Sequence, residues 1–176
     1  YSTAGSSDLK NVQPLMVNYA LGTLALAHNG NLTNAIFLRD ELEAYGAIFQ
    51  STTDSEVMIH LIAHSKEKTF PDRIVDALRQ VKGAYSVIFL SEQGLIGARD
   101  SYGFRPLSLG RIKDSWILAS ETCAFDLIEA EFVRDIEPGE MVVITRNGVQ
   151  SYHPFPVTKS ASCIFEYVYF ARPDSQ

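Results

Sequence analysis

Four groups of residues in this chain carry side chains suited to chemistry. The first is Asn29-Gly30 in "ALAHNGNLTNA", where an apolar run ends and a helical pattern begins. An Asn side-chain amide beside a Gly backbone N–H can donate to an oxygen that gains negative charge in a reaction. The same pair is also a common turn. Both readings stand from the residues alone, and a strand-to-helix junction at this point would expose unpaired N–H groups. The second group is Asp54 in "TTDSEV". Its carboxylate suits either a helix N-cap or the ammonium of a substrate. The third is Arg99, Asp100 and Arg105 in "ARDSYGFRPL", which reads as a structural ion-pair network at a turn. The fourth comprises the titratable singles. His28, His60, His64 and His153 match no metal motif, and "HLIAH" lacks the glutamate of the zinc pattern H-E-x-x-H. Cys123 reads as a core thiol.

These residues lie in 176 residues with 46% hydrophobic and 20% charged side chains, the totals of a globular chain with a sizeable core. A net charge of -6 and a pI near 5.2 argue against nucleic acid as a partner. No apolar run approaches the ~20 residues of a membrane span, and no signal-peptide pattern is present. Two cysteines without C-x-x-C spacing fit a reducing cytoplasm. Opening on Tyr1 and closing on "FEYVYFARPDSQ" suggests a piece of a longer protein.

Periodicity supplies the elements that must position the candidates. Residues 1–11 read as a loop, and residues 19–27 as a strand. "TNAIFLRDELEAYG" has helical spacing, with Thr33 or Asn31 as cap and Gly46 as stop. "TTDSEVMIHLIAHS" is a second helix capped by Thr53 or Asp54. "PDRIVDALRQVKG" is a third, running toward Gly83. The period then shortens. "AYSVIFLS" and "GLIGARD" form one pair of strands, and "PLSLGRI" and "SWILAS" another. "TCAFDLIEA" is a short helix, and "GEMVVITRNGVQSYHP" a hairpin turning at Asn147-Gly148. Helices followed by hairpins predict an α+β fold with antiparallel sheets. Residues 151–162 read as a linker.

Taken in order, "YSTAGSS", "LAHNGNLTNA", "TTDSEV", "ARDSYGFRPLSLG", "ASETCAFD", "EPGEMVVI" and "CIFEYVYFARPDS" resemble the glutamine phosphoribosylpyrophosphate amidotransferase family. Most of these pieces recur across class II glutamine amidotransferases; "FEYVYFARPDS" is the specific one. The resemblance implies a four-layer αββα N-terminal-nucleophile hydrolase sandwich, truncated at its N-terminus. It implies a glutaminase domain, lacking its N-terminal part, at residues 1–158, and a linker with the start of a phosphoribosyltransferase domain at residues 159–176. It further implies that an N-terminal cysteine attacks the glutamine side-chain amide, and that the released ammonia displaces pyrophosphate from phosphoribosylpyrophosphate in the first step of purine synthesis. By the same resemblance Asn29 and Gly30 form the oxyanion hole, Asp54 holds the substrate ammonium, and Thr3 belongs to a loop closing over glutamine. Cys163 corresponds to a ligand of the [4Fe-4S] cluster that some members carry; a cluster needs four ligands, and the others would lie beyond this sequence. Mg2+ would serve the phosphoribosyltransferase domain. A cytoplasmic homo-oligomer is expected.

The sequence departs from that pattern at both ends. The nucleophilic cysteine and the arginine that binds the glutamine carboxylate would precede Tyr1, and neither Cys123 nor Cys163 can replace a residue with a free α-amino group. The isolated segment is therefore expected to be inactive. The competing readings are the glutaminase half of another class II amidotransferase, and a non-catalytic binding module of the same fold.

Overall fold

A computed structural model describes residues 8–156. Three helices precede most of the strands. They are α1 (Ala35–Ala44), α2 (Ser55–His64) and α3 (Phe70–Leu78). Each has a local cause. Tyr45 ends α1, after which Gly46 turns to φ +92 so that its N–H reaches the Glu43 carbonyl and the Ala47 N–H reaches that of Leu42. That left-handed residue satisfies two carbonyls the helix leaves open. Neither Thr33 nor Asn31 caps α1: the cap position is Asn34, whose side chain instead binds the backbone of Gln80 and Lys82. For α3 the cap is Thr69, with Pro71 in the first turn.

The first two strands, β1 (Leu15–Tyr19) and β2 (Gly22–Leu32), turn at Ala20-Leu21, inside the stretch that reads as one strand in the sequence. β2 runs on to Leu32 because β3 (Gly83–Ser91) offers it an uninterrupted ladder from Leu24↔Ser91 to Leu32↔Gly83. Gly83 accordingly opens a strand rather than closing a helix. β4 (Gly94–Arg99) follows β3, and β8 (Met141–Thr145) and β9 (Gly148–Tyr152) complete a six-stranded antiparallel sheet in the order β1-β2-β3-β4-β8-β9. The last hairpin turns at Arg146-Asn147, one residue earlier than expected, since Thr145 pairs with Gly148. A second sheet is ordered β6-β5-β7, from β5 (Ser108–Ile112), β6 (Ser115–Ala119) and β7 (Glu131–Asp135).

Side-chain alternation stacks these elements. Leu24, Leu26, Val87, Phe89, Ile96, Ala98, Met141 and Val143 point from the large sheet into the helices, meeting Met58, Ile62, Phe70 and Ile74. The intervening positions Val142 and Ile144 point the other way and meet Leu107, Leu109 and Ile136 of the second-sheet region. Gly110, one residue beyond Leu109, faces outward: a Cβ there would lie 2.8 Å from the ring of Phe125 on the short helix α4 (Cys123–Asp126). Helices, sheet, sheet and helix therefore form four layers, as expected. Ser151 and Tyr152 belong to β9, and Phe155 is buried against the helical core, so the linker cannot begin at Ser151.

Candidate functional site

The alternation of β2 decides what its candidate residues can do. Leu26 and Leu32 lie in the helix-side core, so His28 and Gly30 share that face and Asn29 takes the opposite one. Asn29 Nδ2 donates to Ser120 Oγ at 3.3 Å, just past the end of β6. The Asn29 amide thus stands at the seam between the two sheets. Asn29-Gly30 is neither a turn nor a junction: Asn29 pairs with Ser86 and Gly30 with Tyr85. Gly30 has a steric cause of its own. Its φ is +151, and a Cβ would lie 2.0 Å from the Ala84 carbonyl oxygen and 2.8 Å from His28 Nε2.

Asp54 occupies the cap position of α2 but makes no capping bond. Thr53 caps instead, its Oγ1 accepting the Ser55 N–H at 3.0 Å. The Asp54 carboxylate turns toward β2. Oδ2 accepts the Leu32 N–H at 2.8 Å, and Oδ1 accepts the hydroxyls of Ser55 at 3.3 Å and Thr53 at 3.4 Å. Two residues that sequence reasoning passed over complete this corner. His28 Nδ1 sits 2.9 Å from Ser55 Oγ and 3.7 Å from Asp54 Oδ1, with its side chain 1% exposed. Burial holds its imidazole below the ordinary value; Asp54 and the Ala84 carbonyl oppose that, and Arg105 adds to it. Glu56 is buried and accepts the backbone N–H groups of Gln50 at 2.8 Å and Ser51 at 2.7 Å, fixing the loop that delivers Asp54. The only sequence trace of Glu56 is an acid in the first turn of a helix; His28 shows none, because its facing depends on the β2 register.

The other candidates are structural. Arg99 donates to the carbonyls of Arg105, Ile136 and Gly103 at 2.7, 2.7 and 2.9 Å. Asp100 accepts from the N–H groups of Tyr85, Tyr102 and Phe104. Arg99 and Asp100 thus bind backbone, because a turn of this shape leaves polar main-chain groups unsatisfied in the interior. His60 packs on Phe49 with ring centroids 4.2 Å apart, and its imidazole is held low by burial, against the pull of Glu56. Cys123 is buried beside Glu121. Glu137, Glu140 and His153 converge closely enough to suggest a cation site. Arg134 already fills it, donating to both Glu140 oxygens at 2.9 and 2.7 Å. Thr3 and Cys163 lie outside the described residues.

Residues 6–126 match the family model of the glutamine amidotransferase domain. The chain belongs to that family. Over 176 residues and 99% of its length, this amidotransferase domain is 49% identical to amidophosphoribosyltransferase 1, chloroplastic, of Arabidopsis thaliana. It is 46% identical to the amidophosphoribosyltransferase of Bacillus subtilis over the same 99%. It covers 31% of the first protein and 37% of the second, so the chain spans about a third of the relatives it matches. A solved structure of the B. subtilis glutamine phosphoribosylpyrophosphate amidotransferase complexed with ADP and GMP superposes with a TM-score of 0.93 at 45% identity, covering 97% of this chain and 38% of that one. The four-layer antiparallel arrangement is therefore that of the N-terminal-nucleophile type. A class II domain from Silicibacter pomeroyi, 19% identical with a TM-score of 0.56, shares the fold. Among the described residues, no helix is long and apolar enough to cross a membrane.

Proposed function

We propose that this amidotransferase domain is the glutaminase part of an amidophosphoribosyltransferase, releasing ammonia from glutamine for transfer to phosphoribosylpyrophosphate. One observation carries the reading. The Leu32 N–H bound to Asp54 Oδ2 at 2.8 Å ties the end of β2 to the start of α2, bringing a candidate oxyanion donor and a candidate ammonium acceptor onto one short stretch of backbone. Asp54 suits its part. A carboxylate offers about four lone-pair sites, and although its side chain is 8% exposed its partners are largely hydroxyls, which can turn aside. A substrate ammonium would then gain a charge-assisted bond.

The chemistry follows from that placement. A cysteine thiolate, supplied by the protein outside this sequence, adds to the glutamine side-chain carbonyl carbon. The carbonyl oxygen takes the electron pair as an oxyanion, beside which Asn29 Nδ2 stands as a fixed donor with the Gly30 backbone next to it. Collapse expels ammonia after proton transfer to the nitrogen, and water cleaves the thioester to glutamate. Ammonia then displaces pyrophosphate in the phosphoribosyltransferase domain, where Mg2+ would act. Cys163 is the residue we assign to a cluster in a cluster-bearing protein, and the cytoplasm or plastid stroma, both reducing, suit its thiol.

The test is made in the full-length protein. Asn29→Ala should lower the glutamine-dependent rate by roughly 10²-fold, in the range of other oxyanion donors. Activity with ammonia should survive. Unchanged glutamine turnover would overturn the reading, and equal loss of both activities would mark Asn29 as structural.

A further inference from the structure

We propose that His28 is a positioning residue that couples the ammonium site at Asp54 to the oxyanion backbone at Gly30; the inference rests on the function proposed above. The imidazole touches both places with different edges. Its Nδ1 edge meets Ser55 Oγ at 2.9 Å, and Ser55 Oγ in turn donates to Asp54 Oδ1 at 3.3 Å. Its Nε2 edge lies under Gly30, where even a methyl group would come within 2.8 Å of it. His28 spans that distance on the helix-facing side of β2 because a strand residue two positions before Gly30 projects onto the same face.

The proton inventory agrees. A neutral imidazole has one N–H. Placed on Nδ1, it donates to Ser55 and leaves that hydroxyl's own proton for Asp54, so His28, Ser55 and Asp54 form one directional chain. Placed on Nε2, it faces the Ala84 carbonyl beside Gly30, and Nδ1 accepts the Ser55 hydroxyl instead. In either form one nitrogen serves the Ser55–Asp54 corner and the other lies against the backbone that flanks Gly30, a pair of contacts that a phenyl ring of similar size cannot make. Gln13 Oε1 accepts the His28 backbone N–H at 2.5 Å and fixes the strand from which the ring projects.

Two substitutions separate the two edges. His28→Phe keeps the ring under Gly30 and removes the bond to Ser55. His28→Asn keeps a polar atom near the place of Nδ1 and removes the ring body. In the full-length protein, His28→Phe should raise the glutamine KM by about 10-fold while kcat moves by less than about threefold. His28→Asn should do the opposite, lowering kcat by about 10-fold at nearly constant KM, since small misplacement of a transition-state donor is enough for such losses. Ser55→Ala should copy His28→Phe, and it decides the matter if the phenylalanine variant does not fold. Ammonia-dependent activity should persist in all three. If kcat and KM change together and in proportion to lost thermal stability, or do not change at all, the coupling is overturned. Asn29→Ala, run alongside, tells the two failures apart: a normal glutamine rate in that variant overturns the glutaminase reading itself, whereas a depressed rate without the His28 split overturns only the inference.

Discussion

Asp100 is buried and Asp54 largely so, both begin an Asp-Ser pair, and both sit where an element starts or ends. Their partners differ. Asp100 takes three backbone N–H groups, from Tyr85, Tyr102 and Phe104. Asp54 takes one, from Leu32, and otherwise meets the hydroxyls of Thr53 and Ser55 and the ring of His28. Backbone donors cannot turn away without unfolding the segment, so Asp100 is committed to holding the loop after β4. Hydroxyls rotate, so Asp54 can accept a new donor at small cost. The lesson is that a buried carboxylate's availability is set by how much of its shell is main chain, more than by its depth.

The largest effect that could break this contrast is on stability. Asp100→Ala strands three interior N–H groups and should cost about 3–5 kcal/mol in urea unfolding. Asp54→Ala strands one and should cost about 1–2 kcal/mol. Equal losses would mean that both aspartates are scaffold, and the ammonium role of Asp54 would lose its basis.

Next in size is an effect on substrate. Asp54→Asn keeps the shape and an acceptor oxygen but removes the charge. In the full-length protein it should raise the glutamine KM by roughly 10-fold, the scale of one lost charge-assisted bond, with ammonia saturation unmoved. The matching Asp100→Asn should lower the melting temperature and leave the glutamine KM alone. Steady-state kinetics on the pair checks both, and a KM change in the Asp100 variant would dissolve the distinction.

Much of the scaffold around these aspartates is legible in the sequence. The period-3.6 runs of α1 to α3 and the alternating hairpins announce themselves, with Gly46 marking an end where helical carbonyls need closing. β7 does not, because "EFVRD" has exposed, charged positions and its pairing with β5 is irregular between Leu109 and Gly110. The reach of β2 to Leu32 is set by its partner β3, and no local signal reports a partner. For the same reason Asn29 and Asp54 stand out as residue types, but their relation does not. One lies at the seam between the sheets and the other on the helix side, and only the ladder register separates those faces. His28 and Glu56 are hidden more deeply, since a buried histidine or glutamate looks like any other until its partners are in place.

Glu140 extends the comparison to a third kind of shell and gives the smallest of these effects. Its carboxylate is buried and gripped by Arg134, Ser151 Oγ and the Glu137 N–H. Burial alone would push its pKa up; the hydrogen bonds of Arg134, Ser151 and Glu137, with the guanidinium charge, outweigh that and hold it below the ordinary 4.5. A carboxylate depressed in the folded state stabilises the fold above its unfolded pKa, and that contribution fades as pH falls through the lower folded value. Glu140→Gln should therefore cost about 1–2 kcal/mol at pH 7. The gap between variant and parent in urea midpoint should narrow as pH drops below about 4.5. A gap independent of pH would mean that Glu140 acts through shape rather than charge, which would place it with the committed scaffold of Asp100 instead of between the two aspartates.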